Sequence, residues 1–133
     1  GTQVPLPEGA TALVYSRGSV PATTLGMLQK GMTSVTAASK TTYTAVASDQ
    51  IVVDTAANIV TITLPATPAV GDEVTIMDGS ATGGFATNNC VVARNGSNIE
   101  GAASDDNLTV NNQCVTLIYA NATKGWLYKS TNQ

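Results

Sequence analysis

Histidine is absent from this 133-residue chain, and charged residues make up only 11% of it. Without an imidazole to take a proton, nucleophilic catalysis of the Ser/His or Cys/His kind is not expected. The six basic residues, Arg17, Lys30, Lys40, Arg94, Lys124 and Lys129, never form a run, and the net charge is −3. Phosphate neutralisation needs clustered cations, so nucleic acid is not an expected partner. No apolar run approaches the ~20 residues of a membrane span, and the start of the chain lacks the basic and apolar regions of a secretion signal. A soluble chain with no membrane partner is expected.

Cysteine is nearly as scarce. Cys90 and Cys114 are the only two, and each opens an apolar strand pattern, CVVAR and CVTLIY. Free cysteine behaves as a small buried hydrophobe, so both are expected as core thiols and not as a disulfide. Zinc sites need closely spaced thiolates or imidazoles, and no metal or cofactor is expected here. Gly79, Gly83 and Gly84 precede no helix pattern, which argues against a phosphate loop. Asp49, Asp54, Asp72, Glu73, Asp78, Glu100, Asp105 and Asp106 fall mostly in turns, where carboxylates cap the local backbone. Two of them would have to converge in a groove to hydrolyse a glycoside, and an EF-hand spacing is absent. No catalytic residue is assigned, and the chain is not expected to be an enzyme. The steps at Asn95, Asn107 and Asn121 match the glycosylation acceptor pattern, as chance allows in a chain rich in asparagine and threonine.

Threonine, alanine and asparagine fill the space that lysine and glutamate usually take. Such a surface is polar but weakly charged, and it suits a protein packed against copies of itself or a larger assembly. The length fits one domain. Its most strongly patterned stretch is NIVTITLPATPAVGDEVTIMD, from Asn58 to Asp78. Val60, Ile62 and Leu64 alternate with threonines, and Val74 and Ile76 resume the alternation after Pro65, Pro68 and the Gly71-Asp72 turn. The stretch reads as an organising hairpin whose apolar face must be covered by other strands or by another subunit.

Residues 1–40 read as an extended N-terminal arm with one short helix, a docking segment. Leu13, Val14 and Tyr15 would add a strand to a sheet edge or a neighbouring subunit. Thr23 or Thr24 would cap a helix through Leu25, Met27, Leu28 and Lys30, closed by Gly31. Met27 and Leu28 pack locally and join the arm as assembly contacts. Residues 41–133 read as the β-domain, with strands near Thr42–Ala45, Gln50–Asp54, Asn58–Leu64, Val74–Asp78, Cys90–Arg94, Leu108–Val110, Cys114–Ala120 and Trp126–Lys129. Asn95-Gly96 is the dipeptide that most favours a type I′ hairpin turn, with Ile99 on the returning arm. Phe85, alone in the glycine-rich loop after Met77, is expected to pin that loop. Trp126 is expected at the base of the core, and both aromatics are the candidates for stacking on a glycan. Short strands with turn signals between them predict an all-β fold, an antiparallel β-sandwich or jelly-roll-like domain, with no clear internal repeat.

Taken together, YTAVASDQIVVDT, VTITLPATPAVGDEVTIMD, FATNNCVVARNGSNIEG and VTLIYANATKGWLY, which lie between Tyr43 and Tyr128, carry a resemblance. This run resembles a β-domain found widely in structural proteins of tailed bacteriophages, among them tail fibres, spikes, head fibres and decoration proteins. The resemblance implies a non-enzymatic virion component, usually a homotrimer, assembled in the host bacterial cytoplasm. Its expected partners are other copies of itself and the major capsid protein or other virion proteins. The chain adds to the module only an N-terminal segment, which favours a capsid decoration or head-fibre protein that cements the shell. The alternative is a tail-fibre or tailspike component that binds a host surface glycan through Phe85, Trp126 or the Gly79–Asn89 loop.

Overall fold

The structure is a computed structural model, and it describes residues 31–130. The expected arm strand at Leu13–Tyr15 and the helix bearing Met27 and Leu28 lie outside the described residues. Within them are nine strands and no helix: β1 (Thr33–Thr36), β2 (Thr42–Thr44), β3 (Gln50–Asp54), β4 (Val60–Thr63), β5 (Glu73–Asp78), β6 (Cys90–Ala93), β7 (Asp106–Leu108), β8 (Cys114–Asn121) and β9 (Gly125–Ser130). They form two sheets, one ordered β1-β3-β5-β8-β9 and the other β2-β4-β6-β7.

The chain passes alternately from one sheet to the other through its first six strands. Each return lays a strand parallel to the one placed before it, so Val35 meets Val53 and Ile51 meets Ile76 in the first sheet. In the second sheet Tyr43 meets Ile62, and Ile62 meets Val92. The antiparallel expectation is therefore corrected. Four of the ladders are parallel, and only the pairs β5-β8, β6-β7 and β8-β9 run antiparallel.

The organising hairpin is corrected with it. β4 and β5 lie in different sheets and do not pair, because the segment from Leu64 to Asp72 carries the chain across from one to the other. What survives is the face assignment: Val60, Ile62, Leu64, Val74 and Ile76 are all fully buried. Period-2 alternation decides which side chains point inward, and it does so whichever strand lies alongside. Burying each of these side chains contributes ~1.5–3 kcal/mol. The same alternation buries Ile51 and Val53 on β3, Cys90 and Val92 on β6, and Val115 and Leu117 on β8, and all belong to a single hydrophobic cluster fed by both sheets.

The Asn95-Gly96 turn forms, with φ of +51° and +96° at its two central residues and the Ser97 N–H on the Arg94 carbonyl at 3.3 Å. It does not return Ile99 alongside β6. Ile99 bridges to Ala102 and Trp126, and the strand that pairs with β6 is β7. Strand β1, where no strand is expected, falls inside residues 1–40 of the expected arm and holds Val35 in the core.

Candidate functional site

The densest set of interlocked polar groups sits where β5 ends. Asp78 is its centre: Oδ1 accepts the Ser80 N–H at 3.0 Å, and Oδ2 accepts the N–H groups of Phe85 at 3.1 Å and Asn112 at 3.0 Å. Burial alone would raise its carboxyl pKa, but these backbone bonds and the Ser80 hydroxyl outweigh it and hold Asp78 below the ordinary carboxylate range. Gly84 permits the approach. Its φ is +79°, and a Cβ there would stand 2.6 Å from both Asp78 Oδ2 and Asn111 Oδ1. Asn88 and Ser80 tie the same loop to the buried Thr55, through Asn88 Nδ2 to the Thr55 carbonyl and the Thr55 N–H to Ser80 Oγ, each at 2.9 Å. The loop from Gly79 to Asn89 is thus a braced structure that delivers Phe85 into the core.

That burial corrects the glycan contacts. Phe85 is 1% exposed and Trp126 0%, so neither ring offers a face to a sugar. Trp126 lies edge-on to Tyr119, with ring centroids 5.6 Å apart, and its Nε1 has no hydrogen-bond partner among the described residues. The expected pinning of the loop by Phe85 and the core position of Trp126 are what the structure contains.

The cysteines divide. Both are free thiols; Cys90 is buried, and burial followed by the Asp78 charge pushes its thiol up to about 12. Cys114 is not a core thiol. It opens β8 one residue out of phase with Val115 and Leu117, so it is half-buried on the outer face beside Met77.

Two surface depressions carry carboxylates. One, of about 350 Å³, is bordered by Ser48, Asp49, Gln50, Asp72, Glu73 and Thr75. Asp49 accepts the Tyr43 hydroxyl at 2.8 Å and the Val46 N–H at 2.9 Å; Asp72 accepts the Ala69 N–H at 2.8 Å; Glu73 pairs with Lys129 at 3.0 Å. The other, of about 180 Å³, is bordered by Glu100, Asp105 and Asp106. Asp106 Oδ2 accepts the Tyr128 hydroxyl at 2.5 Å, Glu100 accepts the Tyr128 N–H at 2.8 Å, and Asp105 accepts the Arg94 N–H at 2.9 Å. Burial, then the Asp106 bond and the nearby negative charges, push the Tyr128 phenol well above its ordinary pKa and keep it a donor. These carboxylates act as hydrogen-bond acceptors for the fold. Among the described residues no group of three or more Cys, Asp or Glu side chains is placed to hold a metal ion.

Sequence reasoning missed the asparagine side chains as anchors of the loops. Asn95 Nδ2 donates to the Leu64 carbonyl at 2.9 Å, Asn98 Nδ2 to the Thr123 carbonyl at 2.9 Å, and Asn111 Oδ1 accepts the Ala86 N–H at 2.9 Å. Asn121 Oδ1 accepts the N–H groups of Thr123 and Lys124 at 3.0 and 2.7 Å. Asparagine abundance at turn positions was the available signal, since the side chain can satisfy backbone groups that a loop leaves open. No protein-family model matches this chain, and no curated protein matches it.

Proposed function

We propose that this chain is a non-enzymatic structural protein of a tailed-bacteriophage virion, a capsid decoration or head-fibre protein that assembles as a homotrimer on the shell. The observation that carries the reading is the outer face of the second sheet. Thr42 stands in register with Thr61 and Val91, and Thr44 with Thr63 and Ala93, so adjacent strands present a weakly polar, uncharged surface. A face without charges suits broad contact between protein subunits, where charged groups are costly to desolvate. The resemblance between Tyr43 and Tyr128 and the scarcity of charge point the same way.

In this reading the two sheets stack as a sandwich, supported by their shared hydrophobic cluster. The trimer bridges capsomer edges and resists the outward pressure of packaged DNA with no chemical step, and threefold closure sets its location. The residues ahead of β1 dock on the shell or clasp a neighbour, with Leu13, Val14, Tyr15, Met27 and Leu28 as contacts.

Light scattering of the purified chain, followed by co-sedimentation with capsids and with host cells, tests this. A trimer that pellets with capsids is expected. A trimer that pellets only with cells replaces decoration by glycan binding on a tail fibre or spike, and a monomer that pellets with neither overturns the assembly reading. A chain shortened by residues 1–30 is expected to lose shell occupancy; equal occupancy removes the arm from the mechanism.

A further inference from the structure

Asn95-Gly96 is the only Asn-Gly step in the sequence. We propose that Asn95 is a site of spontaneous deamidation gated by the fold: held off while its turn is closed, released when the turn opens, and disruptive to the ladder end once it has occurred. The chemistry needs no enzyme. The Gly96 backbone nitrogen attacks Asn95 Cγ, a new N–C bond closes a five-membered succinimide, and the side-chain nitrogen leaves as ammonia with the proton displaced from the Gly96 amide. Water then opens the ring at either carbonyl, giving aspartate or isoaspartate. Glycine at position 96 leaves the attacking nitrogen unhindered, and beyond its two chain neighbours no residue comes within 4 Å of the place a Cβ would occupy.

Two features of the folded chain oppose the first step. The φ values of +51° and +96°, with the Ser97 N–H on the Arg94 carbonyl, are the type I′ pattern. In that turn the Gly96 nitrogen lies on the far side of the Asn95 Cα–C bond from Cβ, so Cγ is out of its reach until the peptide rotates. The leaving nitrogen is also tethered, because Asn95 Nδ2 donates to the Leu64 carbonyl at 2.9 Å.

The same tether makes the product consequential. Leu64 follows β4, is fully buried, and donates its own N–H to the Ala93 carbonyl at 2.8 Å. Aspartate at position 95 sets a carboxylate oxygen against the Leu64 carbonyl, two acceptors facing each other with no proton between them. Isoaspartate adds a backbone carbon between residue 95 and Gly96 and so lengthens the turn that the Ser97 N–H closes on the Arg94 carbonyl.

The test incubates the folded chain, and the same chain in concentrated urea, side by side in mildly alkaline buffer. Mass spectrometry of the peptide spanning Arg94 to Asn98 follows the exchange of amide for acid, and methyltransferase labelling counts isoaspartate. Asn95 is expected to convert at least ~10-fold faster in urea, the factor that corresponds to ~1.4 kcal/mol for opening the turn. Equal rates overturn the gating. Conversion in urea at Asn88 or Asn111 but not at Asn95 overturns the site. Gly96→Ala, compared in urea where folding is not required, is expected to slow conversion several-fold, and an unchanged rate overturns attack by the Gly96 nitrogen. Asn95→Asp is expected to unfold at lower denaturant than the parent chain; an equal midpoint overturns the coupling to the ladder end.

Discussion

Asp78 Oδ2 accepts the backbone N–H of Phe85 at 3.1 Å, and this bond joins the last residue of a central strand to the loop that closes the core. A carboxylate does the work of a turn here, gathering donors from Ser80, Phe85 and Asn112 that the loop would otherwise leave unmet.

Replacing Asp78 by Asn removes the charge and turns one acceptor oxygen into a donor group. Asp78→Asn is expected to lose about 1.5–3 kcal/mol at neutral pH, read from urea denaturation. The pH dependence has a definite sign. The folded pKa lies below the unfolded value near 3.8, so the contribution is full above that value and is lost as pH falls through the folded one. The parent chain should weaken below about pH 4, and the variant should show a flatter acid limb. Parallel acid limbs would show that Asp78 is not the group responsible.

Phe85 is the side chain that this bracing delivers, and it is almost fully buried. Phe85→Ala is expected to cost about 3–5 kcal/mol, as cavity-forming aromatic truncations do. A loss under ~1 kcal/mol would mean that the loop is packed on the core without contributing to it.

Gly125 and Gly71 separate backbone conformation from close contact. Both have positive φ, +72° and +96°, but a Cβ at Gly125 would stand 1.9 Å from the Asn98 carbonyl oxygen, whereas nothing lies within 4 Å of one at Gly71. Gly71→Ala is expected to cost about 1–3 kcal/mol from its dihedral alone. Gly125→Ala should cost clearly more, because Asn98 O also accepts the Trp126 N–H at 2.8 Å and the backbone cannot yield without breaking that bond. Equal melting temperatures for the two variants would contradict this.

Alkaline unfolding should report on Cys90. Its folded pKa, about 12, lies above the unfolded value of 9.0, so stability is fully present below pH 9 and declines as pH rises through the interval between the two values. The slope is about 1.4 kcal/mol for each pH unit. Cys90→Ala should be less stable at neutral pH yet lose this component of the slope above pH 9, measured by denaturation at several alkaline pH values.

The sole tryptophan gives a direct reading of the core. Trp126 emission is expected to be blue-shifted and weakly quenched by acrylamide in the folded chain, shifting to the red on unfolding. Adding surface glycans should leave it unchanged, since the indole is enclosed.

The sequence alone determined which side chains point inward. Val60, Ile62, Leu64, Val74 and Ile76 alternate with threonines, and a strand's pleat alternates its faces wherever that strand is placed. Most strand positions, the Asn95-Gly96 turn and the core placement of Trp126 followed from the same local information, whereas β1 was missed and the strand expected at Leu108–Val110 lies at Asp106–Leu108. Cys114 shows how fine the phase is: it opens an apolar run, but it sits one residue away from Val115 and so faces outward.

Which strand lies beside which was decided only in the tertiary structure. β4 and β5 are neighbours in sequence and read as a hairpin, yet each pairs only with strands of its own sheet, which lie further away in the chain. Pairing is a contest among all available edges, won by the arrangement that buries both apolar faces in one cluster, and no local pattern encodes it. The anchoring of loops by Asp78, Asn88, Asn95 and Asn111 likewise depends on backbone groups far away in sequence, which become partners only once the sheets have brought them within 3 Å or so.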